Sequence, residues 1–227
     1  MNKVLIVAAH PDDDILGAGG SINKKVKTGS SFHVLFVGEG STSRFNDVHS
    51  VEALEAIRAR EIAARKALNS LGVFDMTFLN MPCSRFDTVP MLDINKKIES
   101  FVRDYKPNEV WTHAQNDVNI DHQIVFRSVQ VATRPASNMH TVQRVLSFEV
   151  LSSTEWSYSR DFTPNFFEGL SELDLEAKKS AMEYYESEMK EFPFPRSKSG
   201  IEILARYRGM QCGKQAAEAF VLVRHFE

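Results

Sequence analysis

Two clusters of histidines and carboxylates hold most of the chemistry this chain can offer. The first is His10, Asp12, Asp13 and Asp14, in VLIVAAHPDDDILGAGGS (residues 4–21). The second is HAQNDVNIDH (residues 113–122), with His113, Asp117, Asn119, Asp121 and His122. A single aspartate ahead of a helix is an ordinary cap, favoured by the positive end of the helix dipole. Three in succession beside a histidine repel one another unless a cation sits among them. Nitrogen and oxygen donors suit zinc or iron. His10 and Asp13 supply two donors from one turn, and His122 can supply the third. Three protein ligands with one open position is the arrangement in which a metal makes water a nucleophile near neutral pH. A spare carboxylate beside that water acts as general base, and Asp12 and Asp14 are both candidates. Plain structural readings stand beside these: His113 as a hydrogen-bonded core histidine, Asp117 or Asp121 as a helix cap. His33, His49, His140 and His225 have no comparable acidic neighbours and read as structural or surface residues.

Both clusters need elements that bring them to one place. Residues 4–9 form an unbroken apolar run led by β-branched side chains, the pattern of a strand buried on both faces. His10-Pro11 ends it, because proline cannot donate to a ladder and biases its predecessor away from helix. Ile15, Leu16, Ala18 and Ile22 then start a helical spacing. Further strands are expected at 32–37, 76–79, 109–112 and 142–151, and helices at 16–27, 51–71, 92–105 and 121–133. The helix at 51–71 carries the stripe Leu54, Ile57, Ile62, Ala64, Leu68 and Leu71, with Gly72 just past its end. Strands alternating with helices predict right-handed βαβ units on a largely parallel sheet. Each cluster then lies at the carboxyl end of a strand, where such sheets bind ligands. Residues 152–169 are aromatic and irregular and read as a substrate loop or lid. Helices are expected at 173–190 and 201–213, and a last strand or helix end at 219–225.

Composition narrows the function classes. The 227 residues suit one domain, 1–227, with a sizeable core. Hydrophobic and charged fractions of 43% and 25% are those of an ordinary globular protein. A net charge of -3, with no basic block, argues against a nucleic-acid partner. There is no apolar run of membrane-spanning length and no signal-peptide layout. Two widely separated cysteines, Cys83 and Cys212, imply no disulfide framework, so the expected location is a reducing cytoplasm with both cysteines as bystanders.

AAHPDDDILGAGG resembles the AHPDDE signature of the LmbE-like, or PIG-L, deacetylase family, and NIDHQ resembles its second signature. The resemblance covers nearly the whole chain. Residues 57–72 look like the family's Arg-x-x-Glu helix. Pro195-Arg196-Ser197, Arg208-Gly209 and Ala217-Glu218-Ala219-Phe220 resemble the tail of its carbohydrate-biosynthesis branch. The resemblance implies a Rossmann-like, three-layer α/β sandwich with helices on both faces of a mostly parallel sheet. It also implies a divalent metal, usually Zn2+, with Fe2+ or another divalent ion as alternatives, and removal of an N-acetyl group from a small amino-sugar substrate. By position, His10, Asp13 and His122 would hold the metal and Asp12 would be the base. Asp121 would orient the site, and Arg58, Arg196 and Glu218 would bind substrate.

Two departures stand out. The signature's last Glu is Asp14. A histidine that many members carry three residues before the final ligand is Asn119, which can donate to an oxyanion but cannot transfer a proton at neutral pH. Asp12 then serves as both base and acid, or His113 assists. The competing readings are a non-catalytic sugar- or nucleotide-binding module and a metal hydrolase for another acyl group. A nucleotide module would want Gly-x-Gly-x-x-Gly at the first turn, where this chain has acids that repel phosphate. Neither the particular sugar nor the oligomeric state, a homo-oligomer included, follows from the sequence.

Overall fold

The computed structural model describes residues 2–135, 140–158 and 162–227. Among the described residues one seven-stranded sheet runs in the order β3-β2-β1-β4-β5-β7-β6. The strands are β1 (Lys3–Ala8), β2 (Ser31–Gly38), β3 (Asp75–Met81), β4 (Glu109–His113), β5 (Arg144–Phe148), β6 (Phe166–Leu170) and β7 (Ala216–His225). β1 to β5 run parallel to one another, whereas β7 runs antiparallel to both β5 and β6. The chain builds outward from β1 through β2 to β3, then returns to place β4 on the other side of β1. That reversal opens a crevice at the carboxyl ends of β1 and β4. His10 and His113 sit there.

The continuous apolar run of β1 is explained by helices on both faces. Val4, Ile6 and Ala8 point into one core, with α1 (Asp13–Lys27), α2 (Val51–Ser70), α5 (Glu172–Met182) and α6 (Lys198–Cys212). Leu5, Val7 and Ala9 point into the other, with α3 (Met91–Tyr105) and α4 (Ile120–Ala132). All six are fully buried, each worth about 1.5–3 kcal/mol for the larger side chains. Glycines let α1 lie close over the sheet. A Cβ on Gly17 would sit 2.2 Å from Phe148 Cδ2, and one on Gly20 would sit 2.5 Å from Leu170 Cδ1.

Three expectations change. Leu54 and Ile62 of the α2 stripe are exposed, at 44% and 54%. The buried face instead runs through Ala53, Arg60, Ala64, Ala67 and Leu68. An apolar-only reading skipped the arginine on that face. The 152–169 stretch is not a loop throughout: its end is β6, which closes the sheet edge against β7, while Ser159, Arg160 and Asp161 lie outside the described residues. The helix expected at 173–190 stops at Met182, followed by a short 3-10 turn at Glu186–Glu188.

Candidate active site

The turn after β1 is strained, and its strain puts the acids in place. Asp12 has φ 116°, in the left-handed region, a conformation that costs a non-glycine residue of order 1–3 kcal/mol. Asp13 opens α1, and its Oδ2 accepts the His10 backbone N–H at 2.8 Å. On the facing element Asn119 caps α4, its Oδ1 accepting the Asp121 N–H at 2.9 Å. The cap fixes Asp121 and His122 in the first helical turn, over the end of β1.

Asp13 Oδ2 is the point on which the site converges. His122 Nε2 lies 3.3 Å from it and His10 Nδ1 3.6 Å. Each imidazole has a carboxylate behind its other nitrogen: His10 Nε2 is 2.9 Å from Asp121 Oδ2, and His122 Nδ1 is 3.1 Å from Asp117 Oδ2. Those carboxylates are anchored in turn. Asp121 accepts from the Ser84 and Phe86 amides at 2.6 and 3.2 Å. Asp117 accepts from Thr154 Oγ1 at 2.6 Å, the Asn119 amide at 2.8 Å and the Ser153 hydroxyl. Carboxylates that orient ligating histidines are the usual support of a metal centre.

The donor set fits a divalent ion. Ligand atoms of His10, Asp13 and His122 lie within 4.8 Å of one another and all three residues are buried. Separations of 3.3 and 3.6 Å match the roughly 3.3 Å between ligand atoms that bonds of about 2.0–2.1 Å require in a tetrahedron. A second group, His10, Cys83 and Asp121, meets the same distance. There the His10 and Asp121 atoms already bond to each other, and backbone amides occupy Asp121. Cys83 is therefore not remote from the chemistry, as its isolation in the sequence suggested: the loop after β3 folds back over β1 and buries it beside His10.

Burial and charge set the protonation states. Burial works against charging Asp13, but His122, His113 and His10 hold its carboxyl well below the usual range. Burial also opposes a charged His122, yet Asp13 and Asp117 push it up to about 9. Burial is resisted at Asp117 by His122, Ser153 and Thr154, which bring it to about 2. Asp14 is pushed up to about 8 by burial, then by Asp12 and Asp13. Burial, followed by His122, takes His113 down to about 3. That group stays neutral. Its Nε2 accepts the Ala9 N–H at 2.7 Å and its ring stacks on His122 at 3.9 Å. The fixed neutral ring removes His113 as a proton donor, so it holds the end of the β1 segment instead.

Asp12 stands apart from the convergent donors and is framed by arginines. Its Oδ2 lies 2.9 Å from Arg196 Nη1 and 3.5 Å from Arg60 Nη1. Both arginines share Glu188, at 3.2 and 3.0 Å. Burial raises the Asp12 pKa against the pull of Arg60 and Arg196.

Arg196 therefore reaches the site. Arg58, expected to help hold the substrate, is on the exposed side of α2, and Arg60, two residues on, is the arginine of that helix that reaches Asp12 and Glu188. Glu218 is also not at the crevice. It lies buried behind α1, accepting from the Gly20 and Ser21 amides at 3.0 and 2.7 Å and from Lys178 Nζ at 2.6 Å. A carboxylate so occupied holds the glycine-rich helix to the sheet. Sequence reasoning missed Arg60 and Glu188, and gave Asp117 only a capping role. Arg60 was findable as the charge on the 53-60-64-67 face. Glu188 had no local signal.

The profile of the PIG-L family, described as GlcNAc-PI de-N-acetylase, matches residues 5–133. Over 236 residues the chain is 24% identical to diacetylchitobiose deacetylase of Thermococcus kodakarensis, covering 98% of this chain and 84% of that protein. It is 25% identical over 189 residues to the uncharacterized deacetylase YaiS of Escherichia coli K12, covering 81% and 90%. The crystal structure of GalB, the 4-carboxy-2-hydroxymuconate hydratase of Pseudomonas putida KT2440, superposes with a TM-score of 0.78 at 21% identity over 100% of this chain and 99% of that one. One fold thus carries more than one named reaction, and the reaction has to be argued from the site. Both signatures fall within the matched residues, and the chain belongs to the PIG-L family.

Proposed function

We propose that this protein is a metal-dependent N-deacetylase that hydrolyses the acetamide of an amino sugar or sugar conjugate. The observation that carries the reading is the convergence of His10, Asp13 and His122 on one buried point, with Asp12 beside them and outside the donor set. Family membership and the deacetylase relatives support amide hydrolysis, and the name of the Thermococcus relative supports an N-acetylated sugar as substrate. The donor set favours zinc. Two unpaired cysteines support a reducing cytoplasm; among the described residues no helix is long and apolar enough to cross a membrane.

Bound by His10, Asp13 and His122, a divalent ion supplies Lewis-acid polarisation of the acetamide carbonyl and an acidified water. Asp12 accepts a proton from the attacking water as the C–O bond forms. The Asn119 amide NH2 is left to donate to the oxyanion, since Asn119 Oδ1 is committed to capping α4. Asp12 then returns its proton to the leaving nitrogen as the C–N bond breaks, giving acetate and the free amine. Its burial suits this double role, because a raised pKa lets it hold the proton between steps. Arg196 fixes the Asp12 carboxylate, and Asp117 and Asp121 hold the imidazoles in register.

Zinc-loaded protein incubated with N-acetylated sugars should release acetate. His10→Ala and His122→Ala should each lose metal and turnover; wild-type metal content in both variants overturns the assignment.

A further inference from the structure

Beside Asp12 a cleft of about 430 Å³ opens, walled by Arg44, Lys190 and Arg196 with Trp156 and Phe194. Arg196 joins it to the reaction centre: its Nη1 touches Asp12 while its guanidinium forms one wall. Glu188 is the acid in the lining, and it is already claimed from three sides, by Arg44 at 2.8 Å, Arg60 at 3.0 Å and Arg196 at 3.2 Å. Among the described residues no carboxylate pairs with Lys190, whose Nζ stands 5.2 Å from the centre of the Phe194 ring. The nearby Glu155 is turned away onto the Ser152 and Ser153 amides, at 2.5 and 3.1 Å. Three cations therefore line the cleft against one lining carboxylate, Glu188, with Asp12 engaging Arg196 from behind, and Lys190 is left without a carboxylate partner among the described residues. Trp156, half exposed at 50%, offers a flat apolar face on the same rim.

We propose that this cleft is a subsite for a negatively charged substituent, a phosphate or a carboxylate, on the N-acetylated sugar. Arg44 and Lys190 grip the anion, and Trp156 packs against a ring. The inference rests on the deacetylase reading for the acetamide end of the substrate. A neutral sugar would leave the excess positive charge unmatched. A charged one spans from the cleft, past Arg196, to Asp12.

The test uses zinc-loaded protein and three probes: N-acetylglucosamine, N-acetylglucosamine 1-phosphate and N-acetylmuramic acid. Calorimetry and acetate release are read on each. The wild type should bind at least one charged sugar about tenfold or more tighter than the neutral one, with a matching kcat/KM preference, as expected for charge-assisted hydrogen bonds. The phosphate and carboxylate arms separate the two sources of charge. Arg44→Gln and Lys190→Gln each remove part of the preference, and the double variant, its fold checked by circular dichroism, brings the ratio close to one. Added salt weakens the charged probes selectively. Equal affinity for neutral and charged sugars, or a preference that survives the double variant, overturns the subsite. If no probe releases acetate but charged-sugar binding is still lost in the double variant, the deacetylase reading fails and the subsite stands.

Discussion

The imidazole Nδ1 of His122 lies 3.1 Å from Asp117 Oδ2, and that contact turns Nε2 toward Asp13. Asp117 reaches no other member of the donor set, so its effect passes through the ring. Asp117→Asn keeps the shape and removes the charge. Metal affinity is expected to fall about 10–100-fold, the range for a carboxylate behind a ligating histidine. A competitive chelator titration reads it. Unchanged affinity would show that the ring is held by other contacts.

The metal-free protein should lose stability as pH rises from about 6.5 to 9. His122, ordinarily near 6.5, is raised to about 9. A raised folded-state pKa stabilises fully below the unfolded value and is lost as pH passes the folded one. Asp14, raised to about 8, loses its contribution in the same direction as pH climbs from 3.8. His113, lowered to about 3, gains stability with pH up to 6.5. Between 3.8 and 6.5 those last two offset each other; above 6.5 His122 and Asp14 both lose, with the lowered thiol of Cys83 as the opposing contribution. Zinc replaces the His122 proton, so the loaded protein should change less over the same span. Melting curves with and without zinc decide this, and a flat metal-free Tm from pH 6.5 to 9 would contradict it.

Arg60 and Arg58 separate a buried charge from a solvated one. Arg60 is 6% exposed and meets both Asp12 and Glu188. Arg60→Ala removes one of the cations shared by two buried carboxylates, which keep Arg196 and Arg44 as partners, and is expected to cost about 1–3 kcal/mol, with turnover falling through Asp12. Arg58→Ala, on the exposed side of α2, should stay within about 0.5 kcal/mol of wild type. Denaturant melts and acetate-release rates for both variants test the pair; lost turnover in Arg58→Ala at wild-type stability would support its expected role at the substrate.

Why Arg58 was expected and Arg60 found shows where the sequence stops being legible. Alternation of strands and helices, the buried run of β1 and the two His/Asp clusters all report local physics. Periodicity and strand ends are written in consecutive residues. α2 misled because its buried face includes an arginine: Leu54 and Ile62 draw an apolar stripe that the fold leaves in solvent. Arg60 is buried only because Asp12 and Glu188, 48 and 128 positions away, supply its charge. Glu188 and the β6–β7 edge are long-range outcomes of the same kind, since no neighbour in sequence specifies them. His113 looked chemical by type and position, yet the Ala9 amide and the His122 ring fix it neutral.

Gly17 tests how α1 seats the acids. A Cβ there would meet Phe148 Cδ2 at 2.2 Å, with two further ring atoms inside 3 Å. Gly17 lies four residues after Asp13, so lifting α1 off β5 moves the first turn as well. Gly17→Ala is expected to destabilise by about 1–3 kcal/mol through overpacking, despite the better helix propensity of alanine. It should also weaken metal binding. Stability equal to or above wild type would mean that Phe148 repacks without cost.

Asp12 and Asp13 are adjacent, yet the structure gives them different surroundings. Asp13 faces His10, His113 and His122, whereas Asp12, turned by its left-handed backbone, faces Arg60 and Arg196. Asp12→Asn should therefore keep the metal, because all three donors remain. It should lower turnover by about 10²–10⁴-fold, the contribution of a positioned base. An asparagine there accepts no proton from water and has none to return to the amine, so both half-steps fail together. Asp13→Asn should instead empty the site by replacing an anionic donor with a neutral one. Metal analysis and acetate release, measured on the same two preparations, separate base from ligand. An Asp12→Asn protein with full metal content and near-normal turnover would remove Asp12 from the chemistry and leave the arginine frame as a purely structural device.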